Sequence, residues 1–232
     1  YHARAAIAAT VDVILSRSIT GNSIGAKLTI PQGTLFTDSS GNSWLSARDV
    51  TWYSNVTTCK VPIIQHEKYT ASALNNMVIP TGDRVIIHLG TLPNGKYYEQ
   101  GSMSLQIGGE TWVLVDTFAK SKPTDKHFMV SVDEALNPYI MFGDGTFGKK
   151  PAAGAKITNV VFYLTNGTQG NVKSNTITSV PSVISSSITD ATVSNAYDAG
   201  GGSNYENFTM LKEHIPLSVK TLGVAITKED FE

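Results

Sequence analysis

Residues Gly143-x-Gly145-x-x-Gly148 lie in the stretch FGDGTFGKKPAAG (142–154) and have the spacing with which many proteins wrap nucleotide phosphates. Dinucleotide binding of that kind needs the glycines to lead from a strand into a helix, whose first amides and dipole hold the pyrophosphate. Here Gly148 is followed by Lys149, Lys150 and Pro151, then by Gly154 and a β-branched run, so no helix is predicted to begin there. A kinase-type glycine loop does join two strands, but the chain has no H-R-D, D-F-G or V-A-I-K motif to supply metal-binding and catalytic groups. The segment is read as strand–turn–strand. Gly143 and Gly145 permit positive φ, Asp144 bonds its own backbone, and Gly148, Pro151 and Gly154 complete the turn.

Other side chains that could do chemistry are scattered. His2, His66, His88, His127 and His214 show no metal-ligand spacing and no H-E-x-x-H, and no G-x-S-x-G elbow presents a serine. Asp133 and Glu134 are adjacent, so on a strand they point to opposite faces and make poor partners for paired-carboxylate hydrolysis. Asp38, Asp116, Asp125 and Asp144 lack the dense acidic series of a calcium loop. Cys59, the single cysteine, excludes an internal disulfide and reads as a small buried side chain. The expectation is no catalytic residue, no metal, no cofactor and no small-molecule ligand.

Composition narrows the partners. Of 232 residues, 41% are hydrophobic and only 16% charged, against about 25% in ordinary soluble domains. Eighteen basic and nineteen acidic residues give a net charge of -1, so no basic surface is expected for nucleic acid. Low charge is compatible with surface covered by neighbouring subunits. The apolar runs fall short of the roughly 20 residues that cross a bilayer as a helix, so no membrane partner is expected. The Ala-rich start lacks the layout of a signal peptide. The chain begins with Tyr1 and ends on the acidic turn TKEDFE, and it is read as a segment of something longer.

The elements that must position these residues are mostly strands. Strands are predicted at 10–18, 25–36, 43–54, 84–90, 103–107, 111–118, 127–133, 139–142, 155–165 and 175–180, from β-branched runs and alternation. Asn94-Gly95, Gly108-Gly109 and Asn166-Gly167 are hairpin-type dipeptides between them. The C-terminal thirty residues change character. Ser203 and Glu206 have capping-box spacing, and Phe208, Leu211 and Ile215 follow at helical spacing until Pro216 breaks the pattern. A short helical piece is predicted after Pro216, and Thr227 caps the start of another. The predicted fold is mainly β with a minor α component (α+β), made of antiparallel β-rich lobes with short C-terminal helices.

The glycine loop also belongs to a longer pattern. YIMFGDGTFGKKPAAGAKITNVVFYLTNGTQGNV (139–172) resembles the hallmark segment of the phage baseplate J-like family, with Phe142, Gly143, Asp144, Gly145, Gly148, Pro151, Gly154, Tyr163, Gly167, Gly170 and Asn171 on the pattern. LTIPQGTLFTDSSGNSWLSARDV (28–50) resembles that family's I-P-x-G-T segment. The C-terminal stretch resembles its G-G-x-x-x-E helix, proline and A-V-T-x-x-D-[YF]-E close, through Gly201, Gly202, Glu206, Pro216, Ala225, Ile226, Thr227, Asp230, Phe231 and Glu232. The arginine common before A-V-T is replaced by Leu222-Gly223-Val224, and residues 60–118 match no motif.

The resemblance implies a virion protein assembled in the host cytoplasm, a non-enzymatic part of the wedge in a contractile tail baseplate. Such proteins pair with another copy within a wedge, bind other wedge proteins and form a ring around the hub, whose conformational change triggers sheath contraction. Because the family-like blocks flank residues 60–131, that window is predicted as an inserted β-rich lobe in a discontinuous body of 1–59 plus 132–232. Phe208, Leu211 and Ile215 are candidate interface residues, packing on this chain's own β body or on a neighbour. Two other classes fit the residues. One is a carbohydrate- or receptor-binding β module of a tail fibre, with Trp44, Trp52, Trp112 or Tyr97-Tyr98 as its platform; the other is a hydrolase, which lacks a site. Gly145→Val is expected to lower soluble yield or melting temperature, and calorimetry with ATP is expected to show no micromolar binding in either form.

Overall fold

The structure, a computed structural model, describes residues 5–18, 27–71 and 74–206. The predicted C-terminal helices, and with them Phe208, Leu211 and Ile215, lie outside the described residues. The rest is β-rich, as alternation requires. In the first strand, β1 (Thr10–Ser16), Val13 and Leu15 are fully buried while their neighbours are not.

The chain continues through β2 (Lys27–Ile30), β3 (Leu35–Thr37), β4 (Ser43–Ser46), β5 (Val50–Tyr53) and β6 (Thr58–Ile64). Next come β7 (Glu67–Thr70), β8 (Ile86–His88), β9 (Tyr97–Tyr98), β10 (Ser104–Ile107) and β11 (Glu110–Leu114). The last among the described residues are β12 (His127–Val132), β13 (Pro138–Phe142), β14 (Ile157–Thr165), the one-turn helix α1 (Ser182–Ser185) and β15 (Thr192–Ser194).

These strands form a sheet of order β15-β1-β6-β4-β3, a second of order β7-β14-β10-β11-β12-β13-β8 with β9 also on β14, and the ribbon β2-β5. Among the described residues pairing is antiparallel except between β11 and β12, which run parallel. Several predicted runs are shorter or differently used. Pro31, Gln32 and Gly33 turn the chain between β2 and β3, so the described part of that run, 27–36, holds two strands. Gly108-Gly109 does join the paired strands β10 and β11. Asn94-Gly95 only precedes β9, and Asn166-Gly167 opens a 3-10 turn at Gly167–Gly170. Residues 175–180 form no strand, only the single bridge Asp38↔Ile177.

Buried side chains fall into two clusters. One joins Ala9, Val13, Trp44, Trp52, Val61 and Ile63 to Ile177, Ile184 and Val193. The other runs from Ala71 to Leu164 and includes Trp112, Phe128, Ile140 and Phe162. Burial thus places the division elsewhere than at 60 and 131. β6 belongs with the first cluster, because its alternate residues Cys59, Val61 and Ile63 share the buried face of the sheet with their register partners Leu15, Val13 and Val11 of β1. β13 and β14 belong with the second, where Ile157, Val160, Phe162 and Leu164 supply one wall. The sequence blocks had followed motif boundaries rather than buried faces. At the far end of the first lobe, Arg17 is 7% exposed; it donates to the carbonyls of Tyr53, Ser54 and Val56 and lies 5.0 Å over the Trp52 ring.

The chain crosses between lobes at β6–β7 and again after β14. Gln65, on the first crossing, is fully buried. Its Oε1 accepts hydrogen bonds from the Asn166 backbone N–H at 2.6 Å and from the Thr165 hydroxyl at 3.1 Å, while its own N–H donates to the Ala9 carbonyl. Gln65→Leu keeps the volume but strands those donors away from water, which costs about 1–3 kcal/mol for each group left unpaired. Urea unfolding of that variant is expected to show a loss of about 3 kcal/mol, far above the effect of an ordinary surface substitution.

Candidate functional site

Three places gather the residues singled out in the sequence. They are the glycine loop, the junction between the lobes, and a groove on the outer face of the second sheet.

The glycine loop lies between β13 and β14. The Asp144 carboxylate accepts from the N–H groups of Thr146 at 2.8 Å and Phe147 at 2.9 Å, and Gly145 N–H donates to the Gly148 carbonyl. Those backbone donors hold the Asp144 carboxyl below its ordinary value. Gly145 has φ +95, where a side chain is strained. Gly143 serves differently from expectation. It is not among the residues with positive φ; instead its Cβ position is filled by the Gly148 backbone, so the requirement is close approach. Pro151 is buried, and Gly154 N–H donates to the Ile79 carbonyl. The Gly145 and Gly154 amides are thus used within the protein, and β14 rather than a helix follows the loop.

The second group is the junction, which brings together parts of all three family-like blocks. Asn171 and Gly202 exchange two hydrogen bonds, Nδ2 to carbonyl at 2.9 Å and N–H to Oδ1 at 2.8 Å. Gly202 packs so closely on the Gly167 carbonyl that a side chain has no room there. From the first block, Asn42 Oδ1 accepts from Asn166 Nδ2 at 2.7 Å, and Asn42 Nδ2 in turn donates to Asp38 Oδ2 at 3.0 Å. Asp38 is 6% exposed and also accepts from the Trp44 indole N–H at 3.1 Å and from the backbone N–H of Ser40 and Asn42. Burial opposes its ionisation, yet the donors outweigh burial and the carboxyl sits below its ordinary value. Sequence reading missed this junction. Gln65 carried no local signal, because its partners lie about a hundred positions away.

The third is a groove of about 1050 Å³ on the β8-β13-β12 face. Register sets its floor: Ile86 pairs Met141, and Met141 pairs Met129, so three apolar side chains cross the sheet in one row. Asp116, Asp133, Glu134 and Glu206 line its rim, and no Lys or Arg is among the described lining residues.

Other candidates are placed apart. Trp44, Trp52, Trp112 and Tyr98 are 0–4% exposed, so the aromatic platform of a sugar-binding module is not available from them, and Tyr97 is half-buried. Cys59 is buried, which pushes its thiol up. His66 stacks on Tyr163, His88 packs at Tyr139, and His127 meets the Ser121 hydroxyl. Among the described residues no group of three or more His, Cys, Asp or Glu could hold a metal ion, and no helix is long and apolar enough to cross a membrane. No protein-family model matches the chain, and no curated protein sequence matches it.

Asp38 gives the junction a pH dependence of known sign. A carboxyl lowered by folding contributes stability that is fully present above its unfolded value and lost as pH falls through its folded value. Urea midpoints of the parent are expected to decline as pH drops below about 3.8, the ordinary value. Asp38→Ala is expected to cost about 2 kcal/mol at neutral pH, from the unpaired Trp44 N–H, and to flatten that acid limb.

Proposed function

We propose that this chain is a structural component of a contractile phage tail baseplate wedge. It assembles by protein–protein contacts with a second copy and other wedge proteins into a ring around the hub, and a change in that ring's packing triggers sheath contraction. What carries the reading is a single observation: three sequence blocks resembling the baseplate J-like family, at 28–50, 139–172 and 200–232, occur in the family's order. The reading places the protein in the virion and assigns it no catalytic step.

Two structural features are compatible with it. The family-like glycines and asparagines sit where backbones touch, at the loop and the junction, rather than around an open cavity. The groove supplies an assembly surface of defined chemistry. Its apolar row offers adaptable methionine packing, and its acidic rim suits a neighbouring subunit that brings apolar side chains flanked by Lys or Arg. A contact of this kind can break and re-form between two packings without unfolding either partner.

The test is assembly. The complete protein is mixed with the products of neighbouring tail genes and its mass followed by analytical ultracentrifugation. Met129→Glu combined with Met141→Glu is expected to abolish association, while its melting temperature stays within a few degrees of the parent because both side chains are only half-buried. A complete parent protein that remains monomeric with every tail protein would contradict the assignment itself.

A further inference from the structure

The end of β14 carries a constellation that the assembly reading does not use. In the ladder, Leu164 is opposite Glu67 of β7 on one side and Tyr98 of β9 on the other, and Thr165 is opposite Tyr97. Counting by twos from those pairs puts Glu67, Lys96 and Asn166 on the same face as the buried Leu164 and Tyr98. The side chains meet there. Lys96 Nζ is 2.6 Å from Asn166 Oδ1 and 2.9 Å from Glu67 Oε2. Asn166 is 5% exposed, and the Lys96 side chain keeps only 18% of its surface.

A sheltered amine and carboxamide in contact, with a carboxylate at the amine whose side chain keeps 38% of its surface, are the parts of an amide-forming reaction. We propose that Lys96 and Asn166 become joined by an intramolecular isopeptide bond, with Glu67 as the catalytic proton carrier. Glu67 takes a proton from the Lys96 ammonium, and the freed Nζ lone pair attacks Asn166 Cγ. The Cγ–Nδ2 bond then breaks as Nδ2 receives a second proton from Nζ through the same carboxyl. The nitrogen leaves as ammonia and carries the first proton away as ammonium, which restores the Glu67 carboxylate. Nζ has lost two protons and gained one carbon, and no oxidant or reductant is required.

The surroundings favour this step over a passing ion pair. Asn42 Oδ1 holds Asn166 Nδ2 at 2.7 Å, which fixes the amide with its oxygen toward the lysine. Gln65 Oε1 holds the Asn166 backbone N–H at 2.6 Å, which anchors the backbone that carries the reacting amide. Held in contact, an amine meets a carbonyl at an effective concentration no solution reaches, which offsets the poor reactivity of an amide. The product would tie the β9 turn to the interlobe junction, linking residues 70 positions apart.

Mass spectrometry decides the matter. The complete protein is purified, held folded at neutral pH, denatured and digested with trypsin. One peptide pair is expected to be joined through Lys96 and Asn166, with a mass lower than the sum of the two by one ammonia. Intact mass alone is insufficient, because Asn94-Gly95 and Asn166-Gly167 can also lose ammonia by succinimide closure. Lys96→Arg is expected to abolish the joined peptide. Glu67→Gln, with circular dichroism confirming its fold, is expected to slow its appearance about a hundredfold. Separate Lys96 and Asn166 peptides from the folded parent after prolonged incubation would overturn the proposal. Joining at an unchanged rate in Glu67→Gln would overturn the role of the carboxylate.

Discussion

Buried backbone must find hydrogen-bond partners, and that constraint is most demanding where this chain passes between its two cores. Both crossings run through the interior, and a strand that ends there leaves N–H groups with no ladder to join. Gln65 answers for both. Its side-chain carbonyl receives the Asn166 N–H and the Thr165 hydroxyl, while its backbone N–H reaches Ala9 in the first lobe. Gly170 packs its backbone against Ala9 and the Gln65 side chain, and Asn42 carries the network on to Asp38 and Trp44. The two sheets therefore meet through a satisfied polar network. Polar contacts have strict geometry, so such a network fixes one arrangement where apolar packing would tolerate several.

Much of the fold was legible because alternation reports burial directly. β1, β10, β12, β13 and β14 fall within or close to their predicted ranges, since each has one face on a core and one on solvent. β6 was missed. TCKVPII contains Pro62, which disfavours a central strand, yet Pro62 lies on a strand paired on both sides. The predicted strand at 175–180 fails for the opposite reason. Its β-branched residues are buried by packing, as Ile177 is, without a ladder to join.

The site was legible only in part. The turn chemistry of Asp144 and Gly145 is local, so the sequence states it. Gly143, Gly167 and Gly202 are close-approach glycines, and what each approaches lies elsewhere in the chain for two of the three. A single sequence marks such positions as glycine without saying why. The methionine row on β12 and β13 needs register to become a surface, and register is a property of paired strands. The Lys96, Glu67 and Asn166 cluster needs three strands to be aligned at once.

A two-lobed β body tied by a polar junction suits the proposed place in a wedge, where a subunit must transmit force between neighbours while staying folded itself. The groove then lies on the second lobe, whereas residues 200–203 return to bridge the start of the first. In that proposed place, low overall charge would leave contact with neighbours to shape and to a few placed carboxylates.

Native-state hydrogen exchange, read by mass spectrometry in rising urea, tests most directly whether the junction makes the lobes one cooperative unit. Amides of β1 and β6 in the first lobe and of β10 and β14 in the second are expected to share one opening free energy and one urea dependence. Opening of the second lobe at a lower free energy, with β1 and β6 still protected, would contradict the coupling ascribed to Gln65 and Asn166.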